Sequence, residues 1–388
     1  MTAQNARQTA NCLKSAGRST NRTKVAYTQP LVVVLGMVLF SLTSVSFAVA
    51  HPKSQPFIPA QGSTSPSNGD LNPYGLAVVP KGFPQGTLQP GQLLVANFNN
   101  ALPANTQGDG STIVIIDPAT AQQTGLFFQG TLPAPPALAG QPPGFTNALG
   151  IVKAGFVFAG SVTSNAQSGG LLVIDSTGKL VTQILDGTNG PWGLAINNQG
   201  KDAAQLFISN VLDGTVTRIS VSFAGGFKTV GSPTTIGSTY LFGSDMAGLV
   251  VGPAGLAYDA SKDILYVASE DDNQIFAIAD ASTLTSAAGK GTLIFSDPSL
   301  HGPLGLMIAP NGNLVTANAD PTAHAALNGA DPSDLVEFTT SGKFVRQFSI
   351  DPNQGSAFAI LNVASGGANQ FAYVDDFLSI VNIVRFAK

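Results

Sequence analysis

From residue 71 onward the apolar positions fall into short runs, separated by Gly, Pro, Asn, Asp, Ser and Thr. Runs this short, bounded by turn residues, predict strands rather than helices. Leu93–Asn97, Phe156–Gly160, Leu206–Asn210, Leu265–Glu270, Leu314–Asn318 and Phe371–Asp375 are apolar runs that each end in small or polar residues. Each is followed by a run with period-two alternation: Thr112–Asp117, Leu171–Asp175, Val216–Val221, Gln274–Ala279, Asp334–Phe338 and Ile380–Phe386. A further run follows a turn at Gly125–Gln129, Leu180–Leu185, Gly291–Phe295 and Phe344–Ile350. The turns between, such as Asp-Ser-Thr-Gly-Lys at 175–179, suit hairpins.

Ahead of each group stands a recurring phrase, an apolar or aromatic residue, then Gly, then an apolar run. It occurs around Gly75, Gly150, Gly193, Gly255 and Gly305, and in degraded form at Ala359. Four short strands per unit, repeated six times, is the signature of a propeller. The predicted fold is all-β, a six-bladed β-propeller of NHL-like type with four-stranded antiparallel blades over 71–388. The repeat glycines fall where the first strands converge on the central tunnel and backbones approach closely. Residues 51–70 are read as a linker carrying a closing strand: Phe57-Ile58 would supply the fourth strand of the last blade and leave no open edge.

The N-terminus changes the charge. Residues 1–30 carry Arg7, Lys14, Arg18, Arg22 and Lys24 without an acid, and 31–50 are free of charge, ending Ala48-Val49-Ala50. Basic, then apolar, then A-x-A is the pattern of a secretory signal, with cleavage expected after Ala50 and a secreted or periplasmic location. An uncleaved leader would be the one route to a membrane. Loss of the five leader cations takes the net charge from −4 to −9 and removes Cys12, the single cysteine. The mature chain then has no thiol chemistry, and its acidity excludes nucleic acid, which needs a basic stripe. Only 10% of residues are charged, against about 25% in an average domain, and Glu occurs only at 270 and 337. Long solvated helices are excluded by that scarcity.

On the Asn-Pro-Tyr-Gly-Leu-Ala and Gly-Pro-Trp-Gly-Leu-Ala phrases the chain resembles secreted bacterial NHL-repeat propellers, over about residues 71–386. It is also similar in architecture to the SMP-30/gluconolactonase family, which hydrolyses lactones with a calcium held by Glu, Asn and Asp at the tunnel mouth. The resemblance implies that some ligands stand immediately before the repeat glycine. Those positions are Tyr74, Leu149, Trp192, Ala254 and Leu304, none of which ligates a metal. Virginiamycin-lyase-like propellers use a histidine with a metal, for which His301 and His324 are the candidates within the propeller.

Loops entering first strands and leaving second strands emerge on one face, called the top here. Candidate ligand-binding residues there are Trp192, Asn210, Asp213, His301, Asn318 and Asp320. Glu270, Asp271 and Asp375 are candidate metal ligands, since oxygen donors suit calcium, the one cofactor the sequence suggests. No Ser-His-Asp set or zinc spacing stands out. The expectation is a monomeric exported scaffold that binds a ligand or protein partner across the top face. The alternative is a calcium-dependent hydrolase or lyase of the lactonase-like type.

Overall fold

The second strand of each unit is buried on both faces, which is why these segments read as continuous apolar runs rather than alternating ones. The computed structural model describes residues 53–54, 57–244, 249–318, 333–353, 355–363 and 370–385. The chain divides into two units, Met1–Phe47 and Ala48–Lys388, and all described residues lie in the second.

Six antiparallel sheets form the blades. Blade I is Leu71–Val78, Leu93–Asn99, Thr112–Ile116 and Gln123–Gln129. Blade II is Phe145–Val152, Phe156–Val162, Ser168–Asp175 and Leu180–Ile184. Blade III is Pro191–Asn198, Ala203–Asn210, Thr215–Ser222 and Lys228–Gly237. Blade IV is Pro253–Asp259, Ile264–Ser269, Gln274–Ala279 and Thr292–Phe295. Blade V is Pro303–Ile308, Leu314–Asn318, Ser333–Phe338 and Phe344–Asp351. Blade VI takes Ala357–Asn362, Gln370–Asp375 and Ile380–Arg385 from the C-terminus, and Phe57–Ser63 as its outer strand. The six innermost strands pack side by side round a complete ring, blade VI against blade I included.

Each gap between blades is filled by its own apolar cluster. Leu94, Ile113 and Ile115 of blade I, for example, meet Phe145, Val157 and Leu172 of blade II. Burial of such a side chain stabilises by about 1.5–3 kcal/mol, and the repetition makes stability a property of the whole ring. Each innermost strand carries a bulge at the repeat phrase, between Pro73 and Gly75, Pro191 and Gly193, Pro253 and Leu256, Pro303 and Leu306, Ala357 and Ile360, and Phe145 and Leu149. A Cβ added at Gly193, Gly255 or Gly305 would run into the carbonyl oxygen of Ala254, Leu304 or Phe358 on the next blade. Close backbone approach therefore fixes glycine at these positions.

Three features differ from the sequence reading. Blade II has one extra residue in its bulge: Phe145 pairs with Ser161 and Leu149 with Ala159. Ala148, not Gly150, thus takes the place of the repeat glycine, and Asn147 precedes it. Blade III has an outer strand, Lys228–Gly237, that the apolar pattern did not reveal. Blade V gains a fifth strand, Lys53–Ser54, parallel to Phe344–Asp351.

Candidate functional site

The top face gathers the starts of the innermost strands and the ends of the second strands. At its centre, the residues before the repeat glycines turn inward onto one another. Tyr74 stacks on Phe358 at 3.8 Å and on Phe98 at 4.5 Å between ring centroids. Trp192 meets Tyr74 and Phe98 edge-on at 5.8 and 5.6 Å. Ala254 and Leu304 belong to the same buried cluster. Offset stacked and edge-to-face pairs are each worth about 0.5–1.5 kcal/mol beyond area burial. An aromatic stopper thus closes the tunnel at its top end. The Trp192 Nε1–H within it is buried and has no acceptor among the described residues.

Around the stopper the second strands end in amides and hydroxyls that hold the incoming loops. Asn97 Nδ2 donates to Thr64 O at 3.0 Å and to Thr112 Oγ1 at 3.2 Å. Asn210 Nδ2 donates to Thr215 and Thr217 hydroxyls, both at 3.0 Å, while its Oδ1 accepts from Asn189 N at 2.9 Å. Asn318 Nδ2 donates to Ser299 O at 2.6 Å, and its Oδ1 accepts from His301 N at 3.1 Å. Asp213 sits in the turn after Asn210, accepting from Asn189 Nδ2 at 3.0 Å and Thr215 Oγ1 at 2.6 Å. His301 is half-buried in the loop entering blade V. Asp320 and His324 lie outside the described residues.

Glu270 and Asp271 follow the second strand of blade IV, both buried, and the Glu270 N–H donates to Gly252 O at 2.9 Å. The neighbouring Asp272 accepts from Ser269 Oγ at 2.7 Å and pairs with Lys290 Nζ at 2.6 Å. Asp375 ends the second strand of blade VI, where its Oδ1 accepts from Leu378 N at 3.0 Å. Burial pushes the Asp375 carboxyl up to about 6, and the nearby Asp351 adds to the rise while the Leu378 N–H opposes it. Among the described residues no three His, Cys, Asp or Glu side chains come together as a metal cluster, so Glu270, Asp271 and Asp375 do not form one. The other glutamate, Glu337, is buried in blade V and paired with Arg346 Nε at 2.6 Å, with Asn311 and Asn313 also donating to it. Burial alone would raise its carboxyl, but these donors outweigh it and hold the group below its ordinary value.

Below the stopper the tunnel widens into a cavity. The residues that follow the bulges, Leu76, Leu149, Leu194, Leu256, Leu306 and Ile360, form an aliphatic ring around it. Asn147 joins them, brought inside by the extra bulge residue of blade II. Phe98 and Phe358 were missed from sequence, whereas Asn147 was placed at the tunnel mouth. The aromatic Phe98 directly after Asn97, in a place otherwise read as polar, was the available signal.

A gluconolactonase of Xanthomonas campestris superposes with a TM-score of 0.51 at 11% identity, over 82% of this chain and 88% of its own. Its likeness is one of fold. A luciferin-regenerating enzyme gives 0.48 at 11% identity, over 85% and 96% of the two chains. The calcium-binding protein regucalcin of Agrobacterium tumefaciens gives 0.46 at 12%, over 83% and 94%. No family model and no curated protein matches the chain.

The residues present do not fit a calcium ion at the centre of the top face. Calcium takes six to eight oxygens at about 2.3–2.6 Å. Tyr74, Trp192, Ala254, Leu304 and Phe358 instead fill that place as one packed apolar cluster.

Proposed function

We propose that this protein is an exported propeller that binds a protein partner across its top face and is not a calcium-dependent lactone hydrolase. One observation carries the reading. Large apolar side chains stand in solvent on the top loops, with Leu102 71% exposed after the second strand of blade I and Phe377 62% exposed in the equivalent turn of blade VI. Leu378 lies beside Phe377, and Leu241 and Phe242 are exposed in the loop entering blade IV. Exposed apolar groups on the loops of one face mark interaction sites. The aromatic stopper supports the same reading, because it occupies the place where a metal-dependent site would open.

The test is site-specific photo-crosslinking in the exporting cell. A photoreactive residue in place of Leu102 or Phe377 is expected to give a discrete adduct with one partner. The same residue in place of Val181, exposed on the outer strand of blade II, is expected to give none. Adducts equal at all three positions, or calcium-dependent thermal stabilisation together with hydrolysis of a sugar lactone, would overturn the proposal.

A further inference from the structure

Charge divides this molecule by face. First and third strands run from the top face to the hairpin end, and second and fourth strands run back, so each loop belongs to one end. The described loops of the top face carry nine acidic residues and no Lys or Arg. Exposed lysines stand at the hairpin end: Lys81, Lys153, Lys201 and Lys262 between first and second strands, and Lys179 and Lys343 between third and fourth. One cation reaches upward. Lys290, from the long connection between the third and fourth strands of blade IV, pairs with Asp272 at 2.6 Å and so cancels one acid. A face with one sign of charge attracts the opposite sign and repels its own.

The exposed apolar side chains of the top face lie among these acids. Leu102 and Asp109 share one loop of blade I, and Asp376 directly precedes Phe377 and Leu378 in blade VI. Both loops border the segment 64–72. Thr64 N donates to Ser379 O at 3.0 Å and Asn72 N to Ser379 Oγ at 3.2 Å, which seats the blade VI turn against that segment. On its other side, a Cβ at Gly69 would meet Ala101, the neighbour of Leu102, at 2.9 Å. Asp70, within the segment, accepts from Ser111 and Thr112, neutral donors that leave its charge in place. Leu102, Phe377 and Leu378 therefore flank one acidic segment as a patch across blades VI and I. The pairing recurs in blade III, where the Phe242 ring lies against Gly214, next to Asp213.

An interface joins an apolar centre to a polar rim, and the charges of the rim select the partner. A negative rim repels acidic proteins and anionic lipid headgroups, and it favours Lys and Arg. We propose that the patch across blades VI and I docks a cationic amphipathic protein segment, in which Lys or Arg alternates with large apolar side chains. This rests on the reading of the top face as a protein-binding surface and names the chemistry of the partner. The competing occupant is a second copy of the chain, through its hairpin-end lysines.

The experiment titrates the exported protein into two short fluorescent peptides, one alternating Lys and Leu, the other Glu and Leu, and follows their anisotropy. The Lys peptide is expected to bind saturably and at least about tenfold more tightly than the Glu peptide, with most of the difference lost at about 0.5 M salt. Asp109→Lys is expected to weaken the Lys peptide by about fivefold, and Leu102→Ser by about tenfold. Asp109→Asn replaces the first variant should it fail to fold. Asp202→Lys makes the same charge change in an exposed residue of the hairpin end and is expected to leave binding within about twofold. A photoreactive residue at Leu102 separates this proposal from the one it rests on. An adduct in the cell that disappears in Asp109→Lys, with the melting temperature unchanged, supports both. An adduct undiminished in that variant keeps the top-face reading and overturns the cationic partner, as does equal binding of the two peptides. Absence of any adduct overturns both. Salt-sensitive self-association on size-exclusion chromatography would give the patch to a second copy and overturn the proposal.

Discussion

Two buried acids show how the same residue chemistry takes opposite directions in this fold. Glu337 is met by three donors and stays ionised, so it supports the folded state above its pKa and loses that support as the pH falls through it. Asp375 has the Leu378 N–H but faces the charge of Asp351 in a buried setting, and its carboxyl rises from 3.8 to about 6. The native state therefore keeps a proton that the unfolded chain releases near pH 4. Stability contributed by this group falls as the pH rises from about 4 to 6, and the cost is complete above that window. Asp375→Asn keeps an acceptor for Leu378 and removes the charge. It is expected to stabilise the protein by about 2 kcal/mol at pH 8, with the advantage vanishing below pH 4. Urea unfolding at several pH values checks this, and a gain independent of pH would show that the charge is not the cause.

At the scale of the element, the repeat phrase is informative only where its backbone role is shared. Gly255 and Gly150 stand in the same phrase, yet a Cβ at Gly255 would strike the Leu304 carbonyl oxygen, whereas one at Gly150 would meet the terminal methyls of Ile196 and Leu194. Backbone cannot yield as a side chain can. Gly255→Ala is therefore expected to cost about 2–4 kcal/mol and Gly150→Ala under about 1.5 kcal/mol, read from denaturation midpoints. Equal costs would mean that the two glycines do the same work. The inner and second strands were legible in sequence because both their faces are buried, which writes the element into a continuous apolar run. Lys228–Gly237 was not legible because it lies at a blade's outer edge, exposed over most of its length, where nothing selects an apolar pattern. The bulge of blade II was not legible either, since it is a count of backbone residues rather than a pattern of side chains. The candidate site divides in the same way. Topology alone places Asn210, Asn318 and Asp375 on the top face. Only the packing of blades I, III and VI on one another shows Tyr74, Phe98, Trp192 and Phe358 closing the tunnel.

For the whole molecule, the decisive element is Phe57–Ser63. It pairs with Ile380–Arg385, joining residues more than three hundred positions apart, and converts an open row of blades into a ring. A Cβ at Gly62 would strike the Ala121 carbonyl oxygen of blade I, so the strand is also seated against the neighbouring blade. Without it, the backbone of Ile380–Arg385 becomes a free sheet edge, which invites pairing with other chains. The short parallel pairing of Lys53–Ser54 with Gln347–Phe348 would be lost as well, exposing the edge of blade V. A chain beginning at Thr64 is therefore expected to melt at lower temperature and to self-associate, compared with one beginning at His51, which keeps every strand the closure uses. Thermal melts and size-exclusion chromatography at two concentrations measure the two effects separately. Equal melting temperatures and a monomeric Thr64 chain would show that the apolar contacts between blades VI and I close the ring unaided. Loss of stability without self-association would assign the strand to packing alone. The apolar cluster shared by those two blades also contains the stopper, so loss of the strand is further expected to change the emission of Trp192, across the ring in blade III.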